Sequence, residues 1–557
     1  MVHAKTLTVQ STFGTTGNLE SYIFNELSWL NWSCSKSRHL GSSVLTDPGT
    51  ITVARYICGW RVLMKTDMDI KKILLVSPPW YRMFGQSSNT SPLGLCYIAA
   101  VLEEQGYDVA VYNADYKKGL SYGAGVRQIT SKYNEYLRIL KDINHPLWGE
   151  VATVIFKESP DIVGISVTTA KYGSALNVSR LVKDFNADIP VVWGGVHPTI
   201  LPNDTIKNKD VDIVVRGEGE HTFMDLARNP NNLSGILGIT YKEQGNIIHN
   251  PDRPLIDNLD TLPFPARHLL IEKESYYPEN FGNIFASRGC PYSCTFCASK
   301  KVWTRKVRYR SPKNIVDEIK AIRKVFNTNI FTFEDDSFTL DKRFVEDLCD
   351  LLIKEKLDIK WSTETRANLV NDDLVKKMKS AGCEEICIGA ESGDEETLRL
   401  IKKSVTVEQI RNACRVLKRN KIRFSAFFMI GFPWETRKNI YKTVSLMREL
   451  DPRSALLSVV TPYPGTELYD SCLSEGLLAD SIDWSTFFHQ SPDMYMTKNL
   501  TKTETFEIIE EVEKIFDAHN EKKMKELLRS NPLWVFRRLI KGKYSPRDLL
   551  ALLRHYL

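Results

Sequence analysis

Residues 287–300 read SRGCPYSCTFCASK, and three cysteines, Cys290, Cys294 and Cys297, fall within it at CxxxCxxC spacing. The stretch follows an apolar run, GNIFASRG, that reads as a strand, so the cysteines lie on the loop just after it. Thiols packed this closely bind a metal rather than forming a disulfide framework in a reducing compartment. A four-iron cubane is normally held by four thiolates. Three thiolates leave one iron open, much as a catalytic zinc keeps one position for its substrate. The amine and carboxylate of an amino acid would chelate such an iron. A structural zinc is the competing assignment, and it needs a closed tetrahedral set. No fourth Cys or His follows at finger-like spacing, and His268 lies well upstream.

Outward from this loop toward the C-terminus, NIFTFEDD, IKWSTET, EEICIGAES, RFSAFFMIGF and ALLSVVTPYP read as further strands. Helical patterns such as SPKNIVDEIKAIRKVF and DDLVKKMKSAG lie between them. Six strand–helix units predict an open, partial (β/α)6 barrel over residues 281–480, with its reactive groups at the carboxyl ends of the strands. FEDDSFT places Glu334, Asp335 and Asp336 at one such end, where a carboxylate would meet an ammonium group. The alternative is a charge feature at a helix N-terminus. Arg366, in TETRANL, stands at the next strand end as a candidate for a carboxylate, or as a surface arginine. Residues 481–557 read as a helical C-terminal cap. Their last part mixes Trp534 and Phe536 with Arg537, Arg538, Lys541, Lys543 and Arg547. Such a face can meet a membrane or a lipid or porphyrin. More simply, it covers the barrel mouth with its charges in solvent.

Upstream, residues 68–250 carry a second set of strands: IKKILLVSPPW, DVAVYNAD, DIVGISVTT, IPVVWGGVHPT and DIVVRGEGE. Helical segments such as LGLCYIAAVLEEQG and SALNVSRLVKDF alternate with them. That alternation predicts an α/β, doubly wound parallel sheet. Ligands of such sheets sit beyond the carboxyl ends of the strands. Ser166, Thr168 and Thr169 lie on one of the loops there, and Gly194, Gly195 and Gly217 on others. Gly194 and Gly195 would let a flat ligand come close to the backbone. Prolines at 251, 254, 263 and 265 mark residues 251–280 as a semi-rigid linker. Residues 1–67 show no sustained periodicity and read as a poorly ordered extension.

Composition bounds what this chain can be. At 557 residues it is too long for one ordinary core. Its net charge of +6 comes from interspersed acids and bases, so nothing calls for a nucleic-acid partner. The apolar runs are about half the ~20 residues that a bilayer span needs. The first residues lack the charged and apolar regions of a secretory signal. With its eleven cysteines scattered, the chain is expected in the cytoplasm.

At CxxxCxxC the chain resembles the radical S-adenosylmethionine (radical SAM) superfamily. The resemblance implies a 4Fe-4S cluster on Cys290, Cys294 and Cys297, with S-adenosylmethionine on the open iron. Reductive cleavage would give a 5'-deoxyadenosyl radical, fed by a low-potential donor such as ferredoxin or flavodoxin. IGAESGDEETL, with Gly389, Glu391 and Ser392, resembles the fourth-strand segment that contacts ribose or methionine there. MIGFPWET, with Gly431 and Pro433, resembles the fifth-strand segment beside adenine. The upstream domain resembles the cobalamin-binding module fused to many such enzymes, among them magnesium-protoporphyrin cyclases, hopanoid methylases and phosphonate methylases. The resemblance covers about residues 70–480. Its implied function is methyl transfer from cobalamin to an unactivated carbon, with oxidative cyclisation or another C–H modification of a tetrapyrrole or lipid as the alternative. A non-catalytic cobalamin or redox sensor is the reading from another class. One departure is plain: the loop after the first strand, SPPWYRMFGQSSNTSPLG, lacks the DxHxxG histidine that ligates cobalt in related modules. His197 reads instead as a packed loop histidine.

Overall fold

The computed structural model describes residues 69–120, 126–479, 481–491 and 496–530. The expected N-terminal extension and the basic C-terminal end lie outside these residues.

β1 (Lys72–Ser77) is the run KILLVS, apolar at four consecutive positions and buried along almost its whole length. A strand of this kind is covered on both faces, and parallel neighbours supply that cover. β2 (Asp108–Asn113) pairs parallel on one side and β3 (Ile162–Ser166) on the other. β4 (Val191–Gly194) and β5 (Ile213–Val215) continue the parallel run. The order β2-β1-β3-β4-β5 reverses direction between β1 and β3, and a crevice opens there at the carboxyl ends. The doubly wound reading holds, with one addition. β6 (Ile239–Glu243) and β7 (Asn246–His249) extend the same sheet as an antiparallel hairpin. Gln244 and Gly245 make its turn with positive φ at both positions, a hairpin geometry that brings the chain straight back onto its own strand.

The second sheet has the order β15-β14-β13-β12-β11-β8, all parallel: β8 (Asn283–Ile284), β11 (Ile330–Phe333), β12 (Lys360–Arg366), β13 (Cys383–Glu391), β14 (Arg423–Ile430) and β15 (Ser454–Val459). This is the open six-stranded barrel that the strand–helix count predicts. Its helices begin in caps. Ser311, Asp341, Asn371, Asp394, Thr406, Thr436 and Thr466 each accept a hydrogen bond from a first-turn N–H. A cap of this type contributes about 1 kcal/mol and ends each strand-to-helix loop at a defined point.

GNIFASRG does not run as one strand. β8 ends at Ile284, and the chain leaves the sheet to pair as β9 (Ser287–Arg288) antiparallel with β10 (Arg308–Tyr309). Asp335 explains the departure. Its carboxylate accepts from the Ala286 N–H at 3.1 Å and from the Ser287 hydroxyl, drawing the segment away from β11.

The 251–280 segment is pinned to elements on both sides of it. Ala266 N donates to Cys96 O, and Ile271 N donates to Val111 O, each at 2.9 Å. Arg267, 2 % exposed, meets Glu318 at 2.7 Å on a barrel helix. The 29-residue helix Lys502–Ser530 covers the free edge of β15. There Asn520 stands in for a missing strand: its side chain accepts from Ala455 N at 2.8 Å and donates to Ala455 O at 2.9 Å.

No helix among the described residues is long and apolar enough to cross a membrane.

Candidate functional site

The loop that carries the three cysteines is held at its middle residue. Thr295 N donates to Ile401 O at 3.0 Å, and Leu468 N donates to Thr295 O at 2.9 Å. Gly289 sets the approach. Its φ is +105°, and a Cβ there would strike the Lys306 carbonyl oxygen where β9 crosses β10. Cys290 and Cys294 are half-buried and Cys297 is exposed. Burial pushes the Cys290 thiol up. The protein packed around the Cys297 sulfur likewise pushes that thiol up to about 11, with Asp336 and the other two cysteines adding to it. Free thiols with such values hold their protons at neutral pH, so a metal would release protons as it bound. Among the described residues, no group of three His, Cys, Asp or Glu converges on a point where one metal ion would sit. Thiolates that each take a different iron of a cluster are under no such demand.

Arg366 closes over this loop from the end of β12. Its guanidinium carbon lies 3.7 Å from the centroid of the Tyr292 ring, and its Nη1 donates to Cys294 Sγ at 3.4 Å. The residue is 5 % exposed, and its Nε and Nη2 are buried without a partner among the described residues. It is not a surface arginine. A buried guanidinium with two free donors is a ready partner for a carboxylate.

The three acids of FEDDSFT part company. Asp335 is buried and turned to Ala286 and Ser287, as described above. Glu334 and Asp336 are exposed and line a cavity, with Asp336 accepting from the Ser299 hydroxyl at 2.7 Å. Although Glu334 is open to the cavity, the protein packed around its carboxyl shields it from water and raises it to about 7, reinforced by the charge of Glu364 on β12. Glu364 is raised too, by burial and by Glu391 and Asp336. Nothing in the chain's spacing singled out Glu364; its signal is a lone acid in the alternating strand KWSTETR.

The remaining barrel candidates are bound to their own surroundings. Glu391 has φ +60° at a break in the β13–β14 register, and it pairs with Lys403 at 2.6 Å. A Cβ on Gly389 would stand 2.6 Å from that carboxylate and 2.7 Å from that ammonium, so the pair needs glycine beneath it. Ser392 shares a hydrogen bond with Thr443 at 3.1 Å. Gly431 N donates at 2.8 Å to Glu435, which burial raises to about 8, and Pro433 O accepts from Lys498 N at 2.7 Å.

The cavity that Glu334 and Asp336 line joins the two sheets. On one side it takes in Gly94, Leu95 and Ile98 from the first turns of the helix Leu93–Glu104, with Ser166, Gly194, Gly195 and Gly217 from the strand ends. On the other side stand Ser287, Arg288, Gly289 and Trp303, next to the cysteine loop. Side chains at Gly94 and Gly217 would meet open space, so these glycines widen the cavity. Gly195 differs: a Cβ there would press on the Val167 backbone at 2.9 Å. Thr168 is exposed and is not part of the lining, and Thr169 is buried with its hydroxyl 3.2 Å from His197 Nδ1. His197 itself is fully buried between Tyr172 and Trp484, outside the lining. Among the described residues the lining holds no imidazole. A wall of glycines with an apolar floor of Leu75, Val192, Val215 and Phe223 suits a broad, flat ligand.

Known proteins resemble both halves. The profile of the Radical SAM superfamily matches residues 284–447, and that of the B12 binding domain matches residues 87–227. An uncharacterized methyltransferase of Pyrococcus horikoshii is 33% identical over 434 residues, which are 77% of this chain and 88% of that protein. The anaerobic magnesium-protoporphyrin IX monomethyl ester cyclase of Rubrivivax gelatinosus is 28% identical over 72% of this chain and 69% of its own. Among solved structures, the radical S-adenosylmethionine methyltransferase TsrM from Kitasatospora setae, with cobalamin and a 4Fe-4S cluster bound, shares the fold. Its TM-score is 0.57 at 16% identity, over 73% of this chain and 75% of that one.

Proposed function

Because this chain belongs to the radical SAM superfamily and carries a B12-binding domain ahead of its barrel, we propose that it transfers a methyl group from cobalamin to an unactivated carbon of a small molecule. The observation that carries the reading is the shared cavity. One wall is made of the carboxyl ends of the first sheet, and the other of the segment that leads into Cys290. A methyl donor on one wall and a hydrogen-abstracting group on the other would then face the same substrate.

When bound, the cluster with S-adenosylmethionine supplies a 5'-deoxyadenosyl radical, and cobalamin supplies the methyl group. The chain's own residues hold and orient. Cys290, Cys294 and Cys297 would take the iron. Asp336 and Glu334 would meet the methionyl ammonium, and the free donors of Arg366 its carboxylate. Glu391 and Gly389, with Gly431 and Pro433, would frame the nucleoside. Ser166, Gly194 and Gly217 would line the corrin. In this division of labour residues 68–250 carry cobalamin, 281–480 the radical chemistry, 251–280 the joint and 481–557 the cap. A low-potential donor such as ferredoxin or flavodoxin would supply the electron, and the cytoplasm is the compartment that suits an oxygen-sensitive cluster.

The similarity to the cyclases supports a second reading, oxidative ring formation on a tetrapyrrole. Product counting separates them. Oxygen-free, reduced protein supplied with S-adenosylmethionine and extract from its host should yield both 5'-deoxyadenosine and S-adenosylhomocysteine. 5'-Deoxyadenosine alone would favour cyclisation, and neither product would mean a non-catalytic sensor.

A further inference from the structure

Four charged side chains meet where three distant stretches of the chain cross. Glu218, in the turn after β5, accepts from Arg288 Nη1 at 2.6 Å through one oxygen. Its other oxygen accepts from Arg308 Nη1 at 2.8 Å and from the Ile256 N–H at 2.7 Å. Arg288 Nη2 donates to Glu220 at 2.6 Å. Arg308 also donates to Ile256 O at 2.7 Å. Arg288 lies between two rings, 5.1 Å from Tyr97 and 5.7 Å from Trp303. All four charged residues are between 3 and 8 % exposed, and two carboxylates balance two guanidiniums. Burial pushes Glu218 up, but the hydrogen bond from Arg308 and the charge of Arg288 outweigh it and leave the carboxyl below its ordinary range.

Such a group is a poor way to gain stability. Taking four charges out of water costs about what their attraction returns, and an apolar set of equal volume would serve as well. What a guanidinium bridging two carboxylates does add is register, because the planar fork of Arg288 holds Glu218 and Glu220 at fixed angles, although Arg308 keeps its Nε and Nη2 buried without a partner among the described residues. Here the register is between parts of the cavity. Glu218 follows Gly217 on the glycine wall, Ile256 belongs to the connecting segment, and Arg288 stands two residues before Cys290.

We infer that Glu218 is a positioning residue: through Arg288 it sets where the cysteine loop stands relative to the glycine wall, and so the separation of the two metal centres. The inference rests on the proposed function, since it presumes a cluster at one side and cobalamin at the other.

The test uses the full chain, reconstituted without oxygen with iron, sulfide and hydroxocobalamin, and then reduced. Electron paramagnetic resonance reads the magnetic coupling between the cluster and cob(II)alamin, which varies steeply with their separation and angle. In Glu218→Gln the iron content and each centre's own signal should match the unsubstituted protein, while the coupling changes or disappears. A coupling identical in the two proteins would overturn the inference and leave the functional reading intact. Failure of the unsubstituted protein to bind both cofactors would instead overturn that reading, and the inference with it. Should Glu218→Gln not fold, Glu220→Gln decides. It removes one of the two carboxylates on Arg288, so altered coupling supports the positioning role and unaltered coupling ends it.

Discussion

Arg366 Nη1 lies 3.4 Å from Cys294 Sγ, and the same guanidinium stacks on Tyr292, the residue midway between Cys290 and Cys294. One arginine therefore holds both a sulfur proposed to take iron and the loop that presents it. A donor aimed at a cluster thiolate stabilises the more negative, reduced state and raises the potential. Arg366→Gln removes the charge and the stack together, while Arg366→Lys keeps a charge without the planar contact. We expect both variants to take up iron, and their midpoint potentials to fall, more in Gln than in Lys. Production of 5'-deoxyadenosine should drop about tenfold or more, as loss of a charge-assisted hydrogen bond of roughly 1.5–3 kcal/mol implies. A redox titration followed by electron paramagnetic resonance makes the check. An unmoved potential would show that the bond from Arg366 to Cys294 does not tune the cluster.

Gly289 tests whether backbone geometry delivers the first cysteine. A methyl group there strikes Lys306 O and meets a φ of +105°, so Gly289→Ala should break the β9–β10 pairing and leave Cys290 misplaced. Stability should fall by a few kcal/mol, and iron per chain should fall with it. Gly217→Ala provides the contrast. It carries a positive φ of +72° but open surroundings, so the expected cost is near 1 kcal/mol with normal iron content. Its added methyl group projects into the cavity, and cobalamin retention should weaken. Thermal melts with iron and cobalt analysis distinguish the two.

Glu435 gives the protein a pH-dependent stability with a defined sign. It accepts from Gly431 N at 2.8 Å and Phe432 N at 3.1 Å, and its second oxygen is buried without a partner among the described residues. Burial raises the carboxyl from its ordinary 4.5 to about 8. Below pH 4.5 the folded and unfolded chains both hold this proton. Between 4.5 and about 8 only the folded chain does, so rising pH removes stability at up to about 1.4 kcal/mol per unit. Above that window the loss levels off. Glu435→Gln, neutral throughout, should flatten this part of the melting-temperature profile between pH 5 and 8. Profiles of equal slope for the two proteins would show that the carboxyl is ionised in the folded state.

How far such groups could be read in advance depends on the distance over which they act. Cys290, Cys294 and Cys297 announce themselves because three thiols on one loop carry their spacing within a few residues. The two sheets were legible for the same reason, as alternation of strand and helix is a local pattern. Glu218 and Arg288 are 70 positions apart, and a contact between distant segments leaves no periodicity. Asp335 and Asp336 show a finer limit. Neighbours at a strand end point in opposite directions, so one is turned to Ser287 and the other to the cavity, and the string FEDD does not say which. The antiparallel pair β6 and β7 offers little alternation to read, because β6 is buried at three consecutive residues, Ile239, Thr240 and Tyr241, and the four residues of β7 are half-buried or exposed.

The cobalt environment provides the last expectation. His197 is the histidine nearest in sequence to the glycine wall, two residues beyond Gly195. Its ring is fully buried, with Nδ1 on the Thr169 hydroxyl and Nε2 facing no polar partner among the described residues. Burial lowers it to about 4, so the ring is neutral and packs as an apolar group against Tyr172 and Trp484. A protein imidazole on cobalt would split the cob(II)alamin resonance through its nitrogen, and we expect no such splitting from this protein. His197→Leu should leave the cobalt spectrum unchanged. Its stability should move by about 1 kcal/mol, because the variant forfeits one hydrogen bond and also removes an unsatisfied nitrogen. A nitrogen splitting present in the unsubstituted protein and lost in His197→Leu would mean that the ring leaves its packed position to ligate cobalt.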